Sequence, residues 1–92
     1  MLADRFDRIG RESINGNTFY RLTDVCQAFR IDQSHGTKLV DKSDKRYVLK
    51  YRRGYRSIKV CVISRHGVEA IAIRCAGQMG ASRSDLMQYF PA

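Results

Sequence analysis

The sequence predicts a small single α+β domain in which short β-hairpins pack against several short α-helices. Three observations predict it. Between residues 46 and 63, apolar residues alternate with polar ones at period two, interrupted at Arg53-Gly54, which marks a central basic hairpin. Val68, Ile71, Ala72 and Cys75 recur at i, i+3, i+4 and i+7, the stripe of a helix with one buried face. Asn15-Gly16 is a two-residue turn signal placed between strand-forming residues. A chain of 92 residues buries only roughly 60–65% of the surface its unfolded form exposes, enough for one core across residues 1–92.

Each element follows from its residues. Leu2, Phe6 and Ile9 stand at near-helical spacing, so residues 1–12 read either as a two-turn helix ending at Gly10 or as a frayed arm. Ile14 and the run Thr18-Phe19-Tyr20-Arg21-Leu22 flank the Asn15-Gly16 turn as a small hairpin. Thr23 is the candidate N-cap of a helix from Asp24 to Phe29, with Val25, Cys26, Ala28 and Phe29 facing the core. Ser34 is the candidate cap of a second short helix to Leu39 or Val40, weakened by Gly36 and ended by Asp41-Lys42-Ser43-Asp44.

In the central hairpin, Tyr47, Leu49 and Tyr51 share one side of the first strand, with Val48, Lys50 and Arg52 on the other. Ile58, Val60 and Val62 share one face of the second strand, which runs from Ser57 to Ile63. Ser64 caps a helix from Arg65 to Ala76, and Gly77 fits its C-cap. Residues 77–92 then read as a loop and a short C-terminal helix. Ser82 and Asp85 have the spacing of a capping box, and Leu86, Met87 and Phe90 give this helix an apolar side. That side either seals the core or meets a partner.

Seventeen Lys and Arg against nine Asp and Glu leave a net charge of +8, and the excess is local. From Lys38 to Lys59 there are nine basic residues opposed only by Asp41 and Asp44, a net of +7. Lys45, Arg46, Lys50, Arg52, Arg53, Arg56 and Lys59 concentrate on the hairpin, interleaved with Tyr47, Tyr51 and Tyr55. Such a run either forms a solvated face or attracts a polyanion. Aromatic interleaving favours nucleic acid over a membrane surface. Arginine, twelve against five lysines, adds a planar fork that pairs with phosphate or with carboxylate.

Catalytic and cofactor chemistry are not expected. His35 and His66 are the two histidines, and Arg65 together with a helix first turn disfavours the protonated form of His66. Cys26, Cys61 and Cys75 lie in apolar contexts without the paired spacing of zinc knuckles and read as core thiols. No phosphate-binding glycine loop and no H-E-x-x-H motif is present. The sequence therefore predicts neither an enzyme nor a bound metal or cofactor. An odd number of cysteines and an N-terminus without the order of a signal peptide fit the cytoplasm of a host cell. No stretch approaches the ~18 apolar residues of a membrane span.

The order of these fragments resembles the BRO-N domain, the amino-terminal domain of phage antirepressors and baculovirus repeated-ORF proteins, related to the KilA-N family. Asn15-Gly16 through Phe19 is similar to its opening hairpin, and Asp24-Val25-Cys26-Gln27-Ala28 to its most recognisable helix. Val40-Asp41 with Asp44-Lys45 resembles its acidic turn. Val62-Ile63-Ser64-Arg65-His66-Gly67-Val68 and Ile71-Ala72-Ile73-Arg74 resemble its strand-to-helix passage and following helix. The resemblance covers roughly residues 14–75, and the family's second domain has no counterpart in these 92 residues.

The resemblance implies a phage regulatory protein that binds nucleic acid. The basic hairpin then lies on the phosphate backbone through Lys50, Arg52, Arg53 and Arg56, flanked by Lys45, Arg46 and Lys59. Tyr51 or Tyr55 either stacks on an unpaired base or packs within the fold. The alternative is a phage-encoded inhibitor of the anti-CRISPR type, which binds an RNA-guided host surveillance complex and blocks target DNA. That alternative needs an apolar anchor beside the charges, for which Met79, Met87 and Phe90 are the candidates.

Overall fold

A computed structural model describes residues 2–50, Gly54 and 57–90. Helix α1 (Leu2–Asp7) leads into strands β1 (Arg11–Ile14) and β2 (Asn17–Arg21), then helices α2 (Leu22–Phe29) and α3 (Gln33–Leu39). A 3₁₀ turn (Lys42–Asp44) precedes β3 (Lys45–Lys50) and β4 (Ile58–Ser64), followed by α4 (Arg65–Met79) and α5 (Arg83–Met87). The strands form one antiparallel sheet in the order β1-β2-β4-β3, so the fold is α+β with two hairpins.

The first hairpin turns at Asn15 (φ 51°) and Gly16 (φ 83°), both in the left-handed region that a two-residue turn matched to strand twist requires. The second hairpin turns near Gly54, also left-handed at φ 77°. Arg53, the other half of the expected turn, lies outside the described residues.

The helices cover one face of the sheet. Tyr20 and Ile63, cross-strand neighbours on that face, join Val25, Val68, Ile71 and Leu86 in a single buried core. Phe6, Phe29 and Phe90 form an aromatic cluster at one end of it, with Phe6 5.2 Å from Phe29 and 5.5 Å from Phe90 between ring centroids. Phe6 and Ile9 are buried, so the amino-terminal segment is a docked helix and not an arm. It ends at Asp7, before Gly10, and Arg5 donates to the Ala28 carbonyl of α2.

The starts of α2 and α3 and the end of α4 differ from the sequence expectation. The N-cap of α2 is Arg21, with no side-chain cap bond, because Leu22 is already buried in the first turn and Thr23 lies within the helix. The Asp24 carboxylate is committed to a tertiary contact, accepting from the Gly10 N–H at 2.8 Å. Asp32, not Ser34, precedes the first residue of α3. Gly36 is no weak point either. It is the closest approach of α3 to α2, where a Cβ would fall 2.3 Å from the Cys26 sulfur.

The largest shift concerns α4. It runs through Gly77 to Met79 and stops at Gly80, whose φ of 66° makes it the left-handed cap, with backbone bonds back to Ala76 and Gly77. Met79 and Ala76 pack against the core, which carries the helix past the first glycine. Helix α5 opens with the Ser82–Asp85 capping box, both bonds being made. Arg65 Nε donates to the Phe90 carbonyl at 2.7 Å and Arg11 to the Tyr89 carbonyl at 3.2 Å, so the carboxyl-terminal segment seals the core. Met87 and Phe90 are buried there, which removes these two as an apolar anchor for a partner, while Met79 is half-buried.

Candidate functional site

The basic hairpin is an antiparallel pair running from Lys45 opposite Ile63 to Lys50 opposite Ile58. Cross-strand partners share a face, so strand alternation divides the hairpin's cations. Lys45, Tyr47 and Leu49 stand with Lys59, Cys61 and Ile63 on the helix-covered side; Arg46, Val48 and Lys50 stand with Ile58, Val60 and Val62 on the open side. The alternation within each strand is the one the sequence predicts. The cations are not one cluster, however. The helical layer ends before the tip of the hairpin, leaving Tyr47 64% and Leu49 55% exposed, while Ile58 on the open side is 42% exposed.

The open side brings in residues that sequence reasoning missed. Strand pairing places Arg21 beside Val62, and Glu12 beside Phe19, on the same face as Arg46 and Lys50. The Glu12 carboxylate of edge strand β1 pairs with Lys50 of the opposite edge strand β3 and lies 3.8 Å from Arg21. A bridge across four strands requires the sheet to curl, with this face concave. The Lys50 hydrogen bond, opposed by partial desolvation, holds the Glu12 carboxyl below its ordinary value.

Arg46 lies over the Phe19 ring, its guanidinium carbon 5.9 Å from the centroid, and donates to the carbonyls of Ser43 (2.8 Å) and Lys45 (2.7 Å). Phe19 and Val62 are buried on this side without belonging to the helix-covered core. The signal for this second face was the alternation in Arg11–Ile14, four residues too few to read alone.

On the other side, Lys59 stands 5.8 Å from the centre of the Tyr47 ring. Strand β2 pairs with β4 only at Phe19–Ser64, Tyr20–Ile63 and Arg21–Val62, then turns into α2. From Cys61 back to Ile58, β4 therefore has strand β3 on one side and, among the described residues, no strand on the other. A groove of about 520 Å³ occupies that gap. Tyr47 and Lys59 line its strand wall, and Thr23, Asp24, Gln33 and Thr37 line its helix wall.

The base of the hairpin is fixed by a short polar chain. Ser64, the N-cap of α4, accepts from the Gly67 N–H at 3.2 Å and donates to Asp44 Oδ1 at 2.8 Å. Asp44 Oδ2 lies 2.8 Å from His66 Nδ1. That hydrogen bond and the charge of Asp44 raise the His66 pKa above its ordinary value. The expectation that Arg65 and the helix first turn disfavour the imidazolium is thereby overturned, because the nearest charge is a carboxylate 22 positions upstream. The same bond lowers the Asp44 pKa against partial desolvation, with help from Ser64.

Cys26 and Cys75 are buried and Cys61 half-buried, all as free thiols. Burial pushes the Cys26 thiol up to about 11, with smaller contributions from Cys75 and Cys61. Among the described residues no group of three or more His, Cys, Asp or Glu is placed to hold a metal ion, and no helix is long and apolar enough to cross a membrane. Tyr51, Arg52, Arg53, Tyr55 and Arg56 lie outside the described residues. Comparison of the chain with protein-family models, with curated proteins and with solved structures finds no match.

Proposed function

We propose that this chain is a phage-type regulatory module that binds nucleic acid by laying the β3–β4 hairpin along the phosphate backbone. The observation that carries the reading is a hairpin extending beyond the helical layer, with Lys45, Arg46, Lys50 and Lys59 on its strands and Arg52, Arg53 and Arg56 in the segment between them. No acidic residue occurs between Asp44 and Glu69 to offset them. A two-stranded ribbon has dimensions that enter the major groove of DNA, and arginine forks suit phosphate oxygens. The resemblance to the BRO-N domain points the same way. The inhibitor reading loses two of its three candidate anchors, because Met87 and Phe90 are core residues.

The test is fluorescence anisotropy with labelled duplex and single-stranded oligonucleotides across salt concentrations. Engaging three or more phosphates gives log affinity a slope of about −3 or steeper against log salt. The double reversal Arg52→Glu, Arg53→Glu should abolish binding in a protein whose circular dichroism is unchanged. Undiminished binding by that folded variant removes the hairpin from the interface. Absence of oligonucleotide binding even at low salt, together with capture of a large nucleoprotein complex, points to the inhibitor.

A further inference from the structure

We infer that the groove between β4 and the α2–α3 pair holds one unpaired nucleotide of the bound strand, its base stacked on Tyr47 and its phosphate on Lys59. The inference rests on the nucleic-acid reading and adds the class of strand recognised. The groove exists because β2 leaves the sheet at Arg21 while β4 continues for four more residues along β3. Its volume, about 520 Å³, falls in the range of small-molecule sites.

Its two walls differ in chemistry in the way a nucleotide requires. The strand wall offers an aromatic ring that is 64% exposed, with the Lys59 ammonium over one face 5.8 Å from the centroid, so a base stacking on that face displaces the ammonium towards the phosphate. Every nucleobase has a π-face to stack on such a ring, and a phosphate attached to a base stacked there meets Lys59. Leu49 continues the apolar surface two residues along the same side of β3, where water is the present neighbour.

The helix wall offers hydrogen-bonding groups and one negative charge. Thr37, which lines the groove, donates its hydroxyl proton to the Gln33 carbonyl at 2.8 Å, so its oxygen is left only as an acceptor. Asp24 uses Oδ2 on the Gly10 N–H, leaving Oδ1 as a second acceptor, and the Gln33 amide supplies both a donor and an acceptor. Acceptors suit the exocyclic amino groups of adenine, cytosine and guanine. Arg21 also lines the groove beside Asp24, so it is Lys59 next to the Tyr47 ring that sets the orientation, with the sugar-phosphate on the strand side. A stacked base is available only in a strand that is not paired, so the groove distinguishes single strands from duplex.

The experiment compares anisotropy titrations of a labelled single-stranded dC or dA hexamer with a 12-base-pair duplex at matched phosphate concentration, for wild type and Tyr47→Ala. Tyr47 is mostly exposed, and thermal unfolding checks that the variant is folded. Loss of stacking should lower the ratio of single-strand to duplex affinity by about tenfold, and Tyr47→Phe should restore most of it. Gln33→Ala should narrow the preference for dC over dT.

An unchanged affinity ratio in Tyr47→Ala, while Arg52→Glu, Arg53→Glu abolishes binding, overturns the groove and leaves the hairpin reading standing. Failure of the wild type to bind either oligonucleotide removes both. Amide shifts at Thr23, Gln33 and Thr37 caused by an acidic peptide, and absent with the hexamer, assign the groove to a protein partner and also overturn the inference.

Discussion

His66 Nδ1 lies 2.8 Å from Asp44 Oδ2, and this contact ties the first turn of α4 to the residue that immediately precedes β3. It carries a pH dependence of known sign. The folded pKa of His66 is raised above its ordinary 6.5, so its contribution to stability is complete below that value and disappears as pH rises through the raised one. The Asp44 pKa is lowered from 3.8, so its share is complete above 3.8 and disappears as pH falls through the lowered value. Thermal unfolding should therefore show a small fall in Tm between about pH 6 and pH 8, absent in His66→Gln. The same slope in that variant would exclude the Asp44–His66 contact as its origin.

Gly36 is predicted to tolerate no larger residue. A Cβ there falls 2.3 Å from the buried Cys26 sulfur and 3.3 Å from Ile31 Cδ1, so α3 must move away from α2. Gly36→Ala should cost about 1–3 kcal/mol in urea unfolding, in the range of overpacked cores. Cys26→Ala should recover part of that loss in the double variant, since it removes the colliding atom. Strict additivity of the two single effects would place the strain elsewhere.

Phe90 should behave as a core residue. Its ring meets Tyr20 edge-on at 5.0 Å and stacks with Phe29 at 6.3 Å, and it is fully buried. Phe90→Ala is expected to cost about 3–5 kcal/mol, comparable with the whole stability of a small domain. Phe90→Leu keeps more of the volume and should remain folded at a lower Tm. A Phe90→Ala protein with wild-type Tm would return this residue to the role of a partner contact.

What could be read from the sequence follows from what is local. The Asn15-Gly16 turn, the Ser64 cap and the stripe Val68, Ile71, Ala72, Cys75 each depend on neighbours within a few positions, and each forms. The exit of α4 was not local. Gly77 and Gly80 are equally good caps in isolation, and the choice was made by Met79 and Ala76 packing against the core. Gly36 was misread for the same reason, since its near neighbour is Cys26, ten positions away. At the site, charge density located the hairpin, but charge density carries no information about faces. Lys50 pairs with Glu12 from the far edge of the sheet and Arg46 covers Phe19, contacts that only strand order creates.

Glu12 provides the sharpest test of how that pairing bears on binding. It is the carboxylate of the concave face, held by Lys50 and Arg21. A phosphate approaching this face must compete with Glu12 for Lys50 and is repelled by the carboxylate itself. Glu12→Gln removes both obstacles while leaving strand β1 its side-chain length. Because the pair is partly solvent-exposed, its loss should change folding stability little. Oligonucleotide affinity at low salt should rise by about two- to fivefold, and the slope of log affinity against log salt should steepen by about 1, as one further cation becomes available to phosphate. Glu12→Gln binding with unaltered slope would mean that Lys50 stays on the sheet during binding, and would remove Lys50 from the interface.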